Sequence, residues 1–244
     1  MSTALILEDD VDWDSRVRSQ LAAFGRASQR LPNMIRSANS AYQEQVPSSD
    51  TAAPQASPDP PDSTEHFTLP LPFNPISPHS LPYGNDWDIL WLGHCSMSLP
   101  PSRPTSTFSS VHTPDRFILH DDPTISSPPT NHLPLQARIY HRSHSALCTL
   151  AYAVTQRGAR KILYEHGIRN LDKGYDFALS EWCDSRTKDM GERPMCLTSS
   201  PSLFGHFWGT GGGRGDIVGV GMGGVEGGLV GAVRGSLGHL VEGD

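Results

Sequence analysis

Runs of apolar residues alternate with polar and proline-rich stretches, and they predict a few short ordered elements. The apolar run 4–7 stops at three acids, which predicts a buried strand whose carboxyl end reaches solvent. Apolar residues at helical spacing follow from Val17 to Leu31, and Pro32 marks the predicted end of this helix. The run from Asp88 to Gly93 predicts a further strand.

The second half of the chain repeats this alternation. Residues 147–154 are rich in β-branched and aromatic side chains and predict a strand, after which Thr155 is a candidate N-cap of a helix that Gly167 would close. Residues 176–183 predict another short helix, and a strand-like piece follows near Met195. Strands alternating with helices indicate an α/β architecture with a mostly parallel sheet, in which chemistry collects beyond the carboxyl ends of the strands.

Proline and glycine limit how much of the chain can pack. Two stretches, at about 37–84 and 100–134, hold 18 of the 21 prolines and are predicted to be disordered insertions, because proline fixes φ and removes a backbone donor. The tail 205–244 holds 16 of the 23 glycines and offers too little side-chain surface to offset the entropy of ordering them. One domain over 1–204, interrupted by these two insertions and followed by the glycine-rich tail, is therefore expected.

Charge and cysteine content exclude several classes of protein. The net charge of -7 and the lack of any Lys/Arg cluster argue against nucleic acid as a partner. Neither a signal peptide nor an apolar run of the ~18 residues that a membrane span requires occurs in the sequence. Four cysteines without a C-x-x-C pair exclude a zinc knuckle; scattered thiols are the simplest interpretation, and one disulfide stays open.

The acids that follow the first strand are the most informative local feature. In an extended chain Glu8, Asp10 and Asp12 would share one side and Asp9 the other. Crowded carboxylates raise one another's pKa unless a cation lies among them, and oxygen ligands of this kind suit Mg²⁺ or Mn²⁺. The alternative is a solvated acidic turn that begins the next helix, with Asp12 or Asp14 as its N-cap.

Four segments, in this order, give the chain a resemblance to glycosyltransferase family 25, the lipopolysaccharide-biosynthesis and procollagen-galactosyltransferase group, and to its fungal members. These segments are ALILEDDVDWD from Ala4, WDILWLG from Trp87, AYAVTQRGARKIL from Ala151 and GYDFALSEWCD from Gly174. The segment PSLFGHFWGTGGGRGDI from Pro201 is similar to the family's closing pattern.

The resemblance implies a GT-A-like, Rossmann-like fold and inverting transfer of a hexose, typically galactose, from a UDP-sugar to a glycan or protein acceptor. Glu8, Asp9 and Asp10 correspond to the family's acidic motif and would bind the donor. Asp10 would bind the divalent cation, Mn²⁺ or Mg²⁺, together with the diphosphate. Glu8 or Asp12 would support the metal or the ribose.

Three further candidates follow from the resemblance. Asp176 aligns with an acidic position of the family and would act as the base on the acceptor hydroxyl or contact the sugar; the alternative is a helix N-cap. His206 would be a metal ligand, or else a packed or surface residue beside its aromatic neighbours. Asp216 is a weaker candidate.

Three hypotheses for function remain open. The first is a hexosyltransferase that works in the secretory pathway if the family role holds, and in the cytoplasm otherwise. The second is a truncated, non-catalytic relative that acts as an interaction module, because the family's first strand–helix unit, which would hold the uridine, has no counterpart before the acidic motif. The third is a largely disordered protein.

Overall fold

A mixed β-sheet with helices on both faces is the core of the computed structural model, which describes residues 2–45, 68–71, 81–100, 110–115, 136–169, 172–184 and 194–206. The strands in these residues are β1 (Thr3–Leu7), β2 (Val11–Trp13), β3 (Thr68–Pro70), β4 (Ile89–Gly93), β5 (Ser110–Pro114), β6 (Ala137–Arg142), β7 (Ala151–Thr155), β8 (Cys196–Ser200) and β9 (Phe204–His206). The helices are α1 (Val17–Gln45), α2 (Gln156–Ile162), a π-helix (Leu163–Arg169) and α3 (Tyr175–Asp184). The predicted α/β class is thereby confirmed.

The strand order is β1-β7-β4-β8-β6-β5-β3, and β9 pairs with both β2 and β4. Among the described strands, β3/β5, β4/β8 and β4/β9 are parallel and the other pairings are antiparallel. The sheet is thus mixed, not mostly parallel as the sequence predicts. Parallel neighbours need a crossover connection, usually a helix, whereas the described residues between β4 and β7 form two further strands.

Strand β4 shows how the sheet supports two separate cores. Ile89 and Trp91 pack with Leu179, Trp182 and other α3 residues on one face. Leu90 and Leu92 pack with Phe24, Ala27 and Leu31 of α1 on the other. Successive strand residues point to opposite faces, so the continuous apolar run is what a central strand covered on both sides requires.

Helix α1 extends beyond its predicted end. Pro32 lies inside the helix, which continues to Gln45. An internal proline costs about 3 kcal/mol because it removes one helix hydrogen bond and crowds the preceding turn. Met34 and Ile35 continue the apolar stripe after Pro32 and pack against the core, and this tertiary burial outweighs the local penalty.

Strand β1 forms where it is predicted, but it is not buried. Leu5 is 54% exposed and Leu7 43% exposed, while Ile6 packs against the core on the α3 side. Strand β1 lies at one end of the strand order with β7 as its neighbour. A short apolar run cannot distinguish such an edge strand from a central one, because the number of neighbouring strands is a tertiary property.

The helix that begins after Thr155 confirms the predicted N-cap, since the Thr155 hydroxyl accepts a hydrogen bond from the Gly158 amide at 3.0 Å. It does not end at Gly167, which lies within the π-helix. Among the described glycines, Gly84 has the positive φ that a C-cap glycine uses, and Gly167 does not. A Cβ at Gly167 would lie 2.9 Å from the Leu163 Cδ1 atom, so the glycine makes room for that side chain.

Ordered elements also occur inside the two proline-rich stretches. Helix α1 runs into the first, which also contains β3, and β5 lies in the second. Strand β9 includes Gly205 and His206, so the sheet extends past the predicted domain end at residue 204. Residues 46–67, 72–80, 101–109 and 116–134 of the two predicted insertions, and residues 207–244 of the glycine tail including Asp216, lie outside the described residues.

All four cysteines are paired, which corrects the expectation of scattered thiols. Cys95 is bonded to Cys148, and Cys183 is bonded to Cys196. The first pair joins the segments that follow β4 and precede β7, and the second joins α3 to β8. Spacing alone could not reveal these pairs, since the fold brings together positions 53 and 13 residues apart.

Candidate functional site

The acidic segment turns away from the extended path that alternation predicts. Strand β1 ends at Leu7, a turn contains Asp9 and Asp10, and the chain then enters β2. Glu8 is exposed and accepts a hydrogen bond from the Thr149 hydroxyl at 2.9 Å. Asp12 is 3% exposed and accepts from the Trp13 amide at 2.8 Å. The carboxylates therefore do not line one face.

Pairing between β2 and β9 brings Asp10 next to His206. Val11 lies opposite His206 in the antiparallel register, and Asp10 directly precedes Val11. The Asp10 Oδ2 atom lies 3.3 Å from Nδ1 of His206, with the two side chains 44% and 28% exposed.

Strand β9 is fixed in turn by the end of β4. The Leu203 amide donates to the Leu92 carbonyl at 2.9 Å, and Phe204 is the parallel partner of Gly93. A Cβ at Gly93 would lie 2.9 Å from Cβ of Phe204, so the glycine permits this close approach. Strands β4 and β8 are parallel, so Asp10 and His206 lie at the carboxyl edge where α/β sheets collect their ligands.

The Cys95–Cys148 disulfide lies beside the same histidine. The Sγ atom of Cys95 is 3.3 Å from Nε2 of His206, and both cysteines are partly exposed. The sequence gives no sign of this neighbourhood, because the histidine and Cys95 are 111 residues apart.

Asp176 occupies a different part of the molecule. It is the second residue of α3, so it is not the N-cap, and its Oδ1 atom accepts from the Phe177 amide at 2.8 Å. Helix α3 packs through Leu179 and Trp182 on the sheet face opposite α1. None of the hydrogen bonds or ion pairs found among the described residues joins Asp176 to Asp10 or His206.

A charged network fixes the segment between the acidic turn and α1. Arg16 forms an ion pair with Asp14, and its Nη1 atom lies 3.5 Å from Oδ1 of Asp115. The Oδ2 atom of Asp115 lies 3.4 Å from Nη2 of Arg138. Burial opposes ionisation of Asp14, but hydrogen bonds from the Arg16 side chain and amide, together with the Arg16 charge, hold the pKa of this carboxyl below its usual value. Asp14 therefore stabilises the segment that leads into α1, but it is buried and is not the N-cap that the alternative interpretation predicts, because the helix begins at Val17.

Sequence reasoning assigned no role to Asp88, which is 1% exposed. Its carboxylate contacts Arg157 Nε at 2.9 Å, Lys161 Nζ at 3.0 Å and the Met195 amide at 3.0 Å. Burial opposes ionisation here too, but these three donors outweigh it and lower the pKa of Asp88. Through these three hydrogen bonds Asp88, which directly precedes β4, joins that strand to α2 and to the residue before β8.

A buried Ser–His pair is also structural. The Nδ1 atom of His141 lies 2.7 Å from the Arg142 carbonyl oxygen and donates to it, and the Nε2 atom lies 2.9 Å from the Ser200 hydroxyl. Such a pair would suit nucleophilic catalysis, but His141 and Ser200 are both 0% exposed, so a substrate cannot reach them.

A cavity of about 340 Å³ lies away from the acidic turn, between α1 and residues 81–86. Ser28, Gly84 and Asp86 are among its lining residues, and none of the lining residues belongs to the acidic motif.

Among the described helices, none combines the length and apolar character needed to cross a bilayer. Comparison of the chain with protein-family models, curated proteins and solved structures finds no match.

Proposed function

We propose that this chain is a glycosyltransferase of the family 25 type, which transfers a hexose, galactose by resemblance, from a UDP-sugar with inversion. The observation that supports this proposal is the distance of 3.3 Å between Oδ2 of Asp10 and Nδ1 of His206 at the carboxyl edge of the sheet. The acidic motif and the closing segment supply these residues from opposite ends of the described chain, as the resemblance implies.

The distance between these two side chains suits a divalent cation. An ion with bonds of about 2.1 Å at right angles needs ligand atoms roughly 3 Å apart. The Oδ2 and Nδ1 atoms are 3.3 Å apart and partly exposed, so an ion that displaces the histidine proton would find both in reach. A mixed carboxylate and imidazole set favours Mn²⁺ over Mg²⁺, which prefers oxygen ligands alone.

A cation bound there would neutralise the diphosphate of the departing UDP. In this proposal Asp10 and His206 hold the ion, and Glu8 and Asp9, which precede Asp10 at the surface, face the donor. Asp12, which is 3% exposed and accepts from the Trp13 amide within β2, is not among the proposed ligands. Asp176 enters as the base through the resemblance alone, and the acceptor is a glycan or a protein hydroxyl.

The two disulfides are evidence about the cellular compartment in which the chain folds. Two disulfide bonds are typical of chains that fold in an oxidising environment. They favour the secretory-pathway alternative over the cytoplasmic one.

Thermal unfolding with manganese and nucleotide tests the proposal. At a concentration of Mn²⁺ with UDP near 100 times the Kd, binding adds about 2.7 kcal/mol and should raise Tm by roughly 5–10 °C. The Asp10→Ala variant should lose this rise, because it lacks the carboxylate ligand. ADP in place of UDP should give little shift.

Asp172→Ala is the matched control, since it removes another exposed carboxylate, 62% exposed, that lies outside the acidic motif. This variant should keep the full shift. An unchanged Tm of the wild-type chain with Mn²⁺ and UDP would contradict the proposal.

One observation favours the second candidate, a non-catalytic interaction module. The edge strand β1 exposes Leu5 and Leu7, and an edge strand offers backbone donors and acceptors to an added strand. If the chain is folded and its Tm does not change with Mn²⁺ and UDP, that result would favour this function, with an extended peptide as the partner.

A further inference from the structure

Two sulfur atoms and one ring nitrogen form a compact cluster at the carboxyl edge of the sheet. The Sγ atoms of Cys95 and Cys148 and a ring nitrogen of His206 all lie within 4.8 Å of one another, and all three residues are half-buried. We call these three residues the Cys–Cys–His cluster. Thiolate and imidazole are the ligands of most protein zinc sites.

The orientation of His206 suits metal binding. Its Nδ1 atom faces the Asp10 carboxylate at 3.3 Å, and its Nε2 atom faces Cys95 Sγ at 3.3 Å. The carboxylate favours the tautomer with the proton on Nδ1, which leaves the Nε2 lone pair directed toward sulfur. Metal-binding histidines commonly donate their second N–H to a carboxylate in this way.

The backbone holds the two cysteine segments together independently of the disulfide. The Cys95 amide donates to the Leu147 carbonyl at 2.9 Å, and the Leu147 amide donates to the Ser96 carbonyl at 3.0 Å. Strand β9 keeps His206 in place through its pairing with β2 and β4. Breaking the sulfur–sulfur bond therefore leaves the three ligands close together.

The distances fit a tetrahedral ion after a small movement. With Zn–S bonds of about 2.3 Å and a Zn–N bond of about 2.0 Å, sulfur and nitrogen ligands lie roughly 3.5 Å apart and two sulfurs about 3.8 Å apart. The Cys95 Sγ to His206 Nε2 distance is already 3.3 Å. The two sulfur atoms need to separate, which rotation about the cysteine side-chain bonds can achieve.

The two disulfides differ in their access to a reductant. Cys183 and Cys196 are both 0% exposed in the core between α3 and the sheet, whereas Cys95 and Cys148 are partly exposed. Thiol–disulfide exchange requires the attacking thiolate to reach a sulfur atom. Reduction at limiting reductant should therefore open the Cys95–Cys148 bond first.

We propose that reduction converts the Cys–Cys–His cluster into a zinc site, with Cys95, Cys148 and His206 as protein ligands, solvent as the fourth ligand and Asp10 supporting the imidazole. A dithiol supplies two electrons and two protons: its own sulfurs become a disulfide, and Cys95 and Cys148 become thiols. Zinc binding then releases the two thiol protons to solvent. The zinc site recruits His206, so it competes with the manganese site of the oxidised chain but does not depend on its existence.

Metal titration of the whole chain tests this proposal without nucleotide. The oxidised chain should bind Zn²⁺ weakly. After limited reduction with a phosphine, which takes up oxygen from water and does not chelate zinc as a dithiol would, the chain should bind one Zn²⁺ at least 100-fold more tightly. Co²⁺ in place of Zn²⁺ should show the visible bands of a tetrahedral thiolate site.

Variants assign the ligands. His206→Ala should weaken binding to the reduced chain at least 100-fold, and Asp10→Asn should weaken it 10- to 100-fold through the imidazole. The Cys183→Ala/Cys196→Ala double variant is the matched control, and it should bind Zn²⁺ like the wild type. Far-ultraviolet circular dichroism checks that each reduced chain stays folded.

Three results would overturn the proposal. They are equal Zn²⁺ affinity of the oxidised and reduced chains, retention of tight binding in His206→Ala, and loss of the fold on limited reduction. The Tm response of the oxidised chain to Mn²⁺ with UDP is a separate measurement, so either proposal can fail while the other holds.

Discussion

At the scale of single residues, the buried carboxylate of Asp88 is the clearest determinant of stability. It is 1% exposed and accepts from Arg157, Lys161 and the Met195 amide. Loss of one partner of a buried ion pair is strongly destabilising, because charges and donors are left without compensation. The partly exposed Arg157 and Lys161 side chains can return to water, which moderates this loss.

We expect Asp88→Asn to lower the free energy of unfolding by about 2–3 kcal/mol in urea at pH 7. Asp86→Asn is the control, since Asp86 is 46% exposed and lies 3.6 Å from Arg36. This surface pair should contribute less than about 1 kcal/mol. Equal stability of the two variants would contradict the structural role of Asp88.

The pH dependence follows from the lowered pKa of Asp88. A carboxyl group with a lower pKa in the folded chain binds its proton more tightly when unfolded. The contribution of Asp88 to the free energy of unfolding is complete above the pKa of about 3.9 that the group has in the unfolded chain. It is lost as the pH falls through the lower pKa that the group has in the folded chain. The difference between wild type and Asp88→Asn should therefore shrink in urea titrations below about pH 4.

At the scale of elements, two glycines in one helical segment have opposite surroundings. A Cβ at Gly158 in α2 would lie 2.4 Å from the Asp88 carbonyl oxygen, which is backbone and cannot easily move. A Cβ at Gly167 in the π-helix would lie 2.9 Å from Leu163 Cδ1, and the Leu163 side chain is 63% exposed and can rotate.

We expect Gly158→Ala to destabilise the chain by about 1–3 kcal/mol through this overlap. Gly167→Ala should be neutral or stabilise by up to about 1 kcal/mol, because alanine has the higher helix propensity. Urea unfolding at neutral pH measures both. Equal effects of the two substitutions would contradict the close packing of Gly158 in α2 against the Asp88 carbonyl, directly before β4.

At the scale of the whole molecule, the disulfides connect segments that are distant in sequence. Cys95–Cys148 spans 53 residues and Cys183–Cys196 spans 13. In the chain-entropy account, a crosslink destabilises the unfolded ensemble more when it closes a longer loop. The two bonds therefore limit how far the unfolded chain can expand.

Removing the Cys95–Cys148 bond by double substitution to alanine should lower the free energy of unfolding by about 4 kcal/mol, and removing Cys183–Cys196 by about 3 kcal/mol. Urea unfolding without reductant measures both losses. Thiol titration of the unfolded wild type should detect no free cysteine, in agreement with four paired residues. Wild-type stability in both double variants would contradict the crosslinks.

Local sequence patterns determined the elements whose cause lies within a few residues. The apolar spacing of α1, the apolar run of β4 and the Thr155 cap act over one or two turns, so the sequence alone predicts them. The acidic motif after β1 and the resemblance it carries also belong to the sequence, and the glycosyltransferase assignment remains a proposal.

Tertiary structure alone decided how these pieces meet. Pro32 stays inside α1 because residues beyond it reach the core, and β7 pairs with β4 in the antiparallel direction. Four cysteines allow three pairings, and the pairing of β2 with β9 is what brings Asp10 to His206. These outcomes depend on contacts between distant segments, and the identity of neighbouring residues along the chain does not specify such contacts.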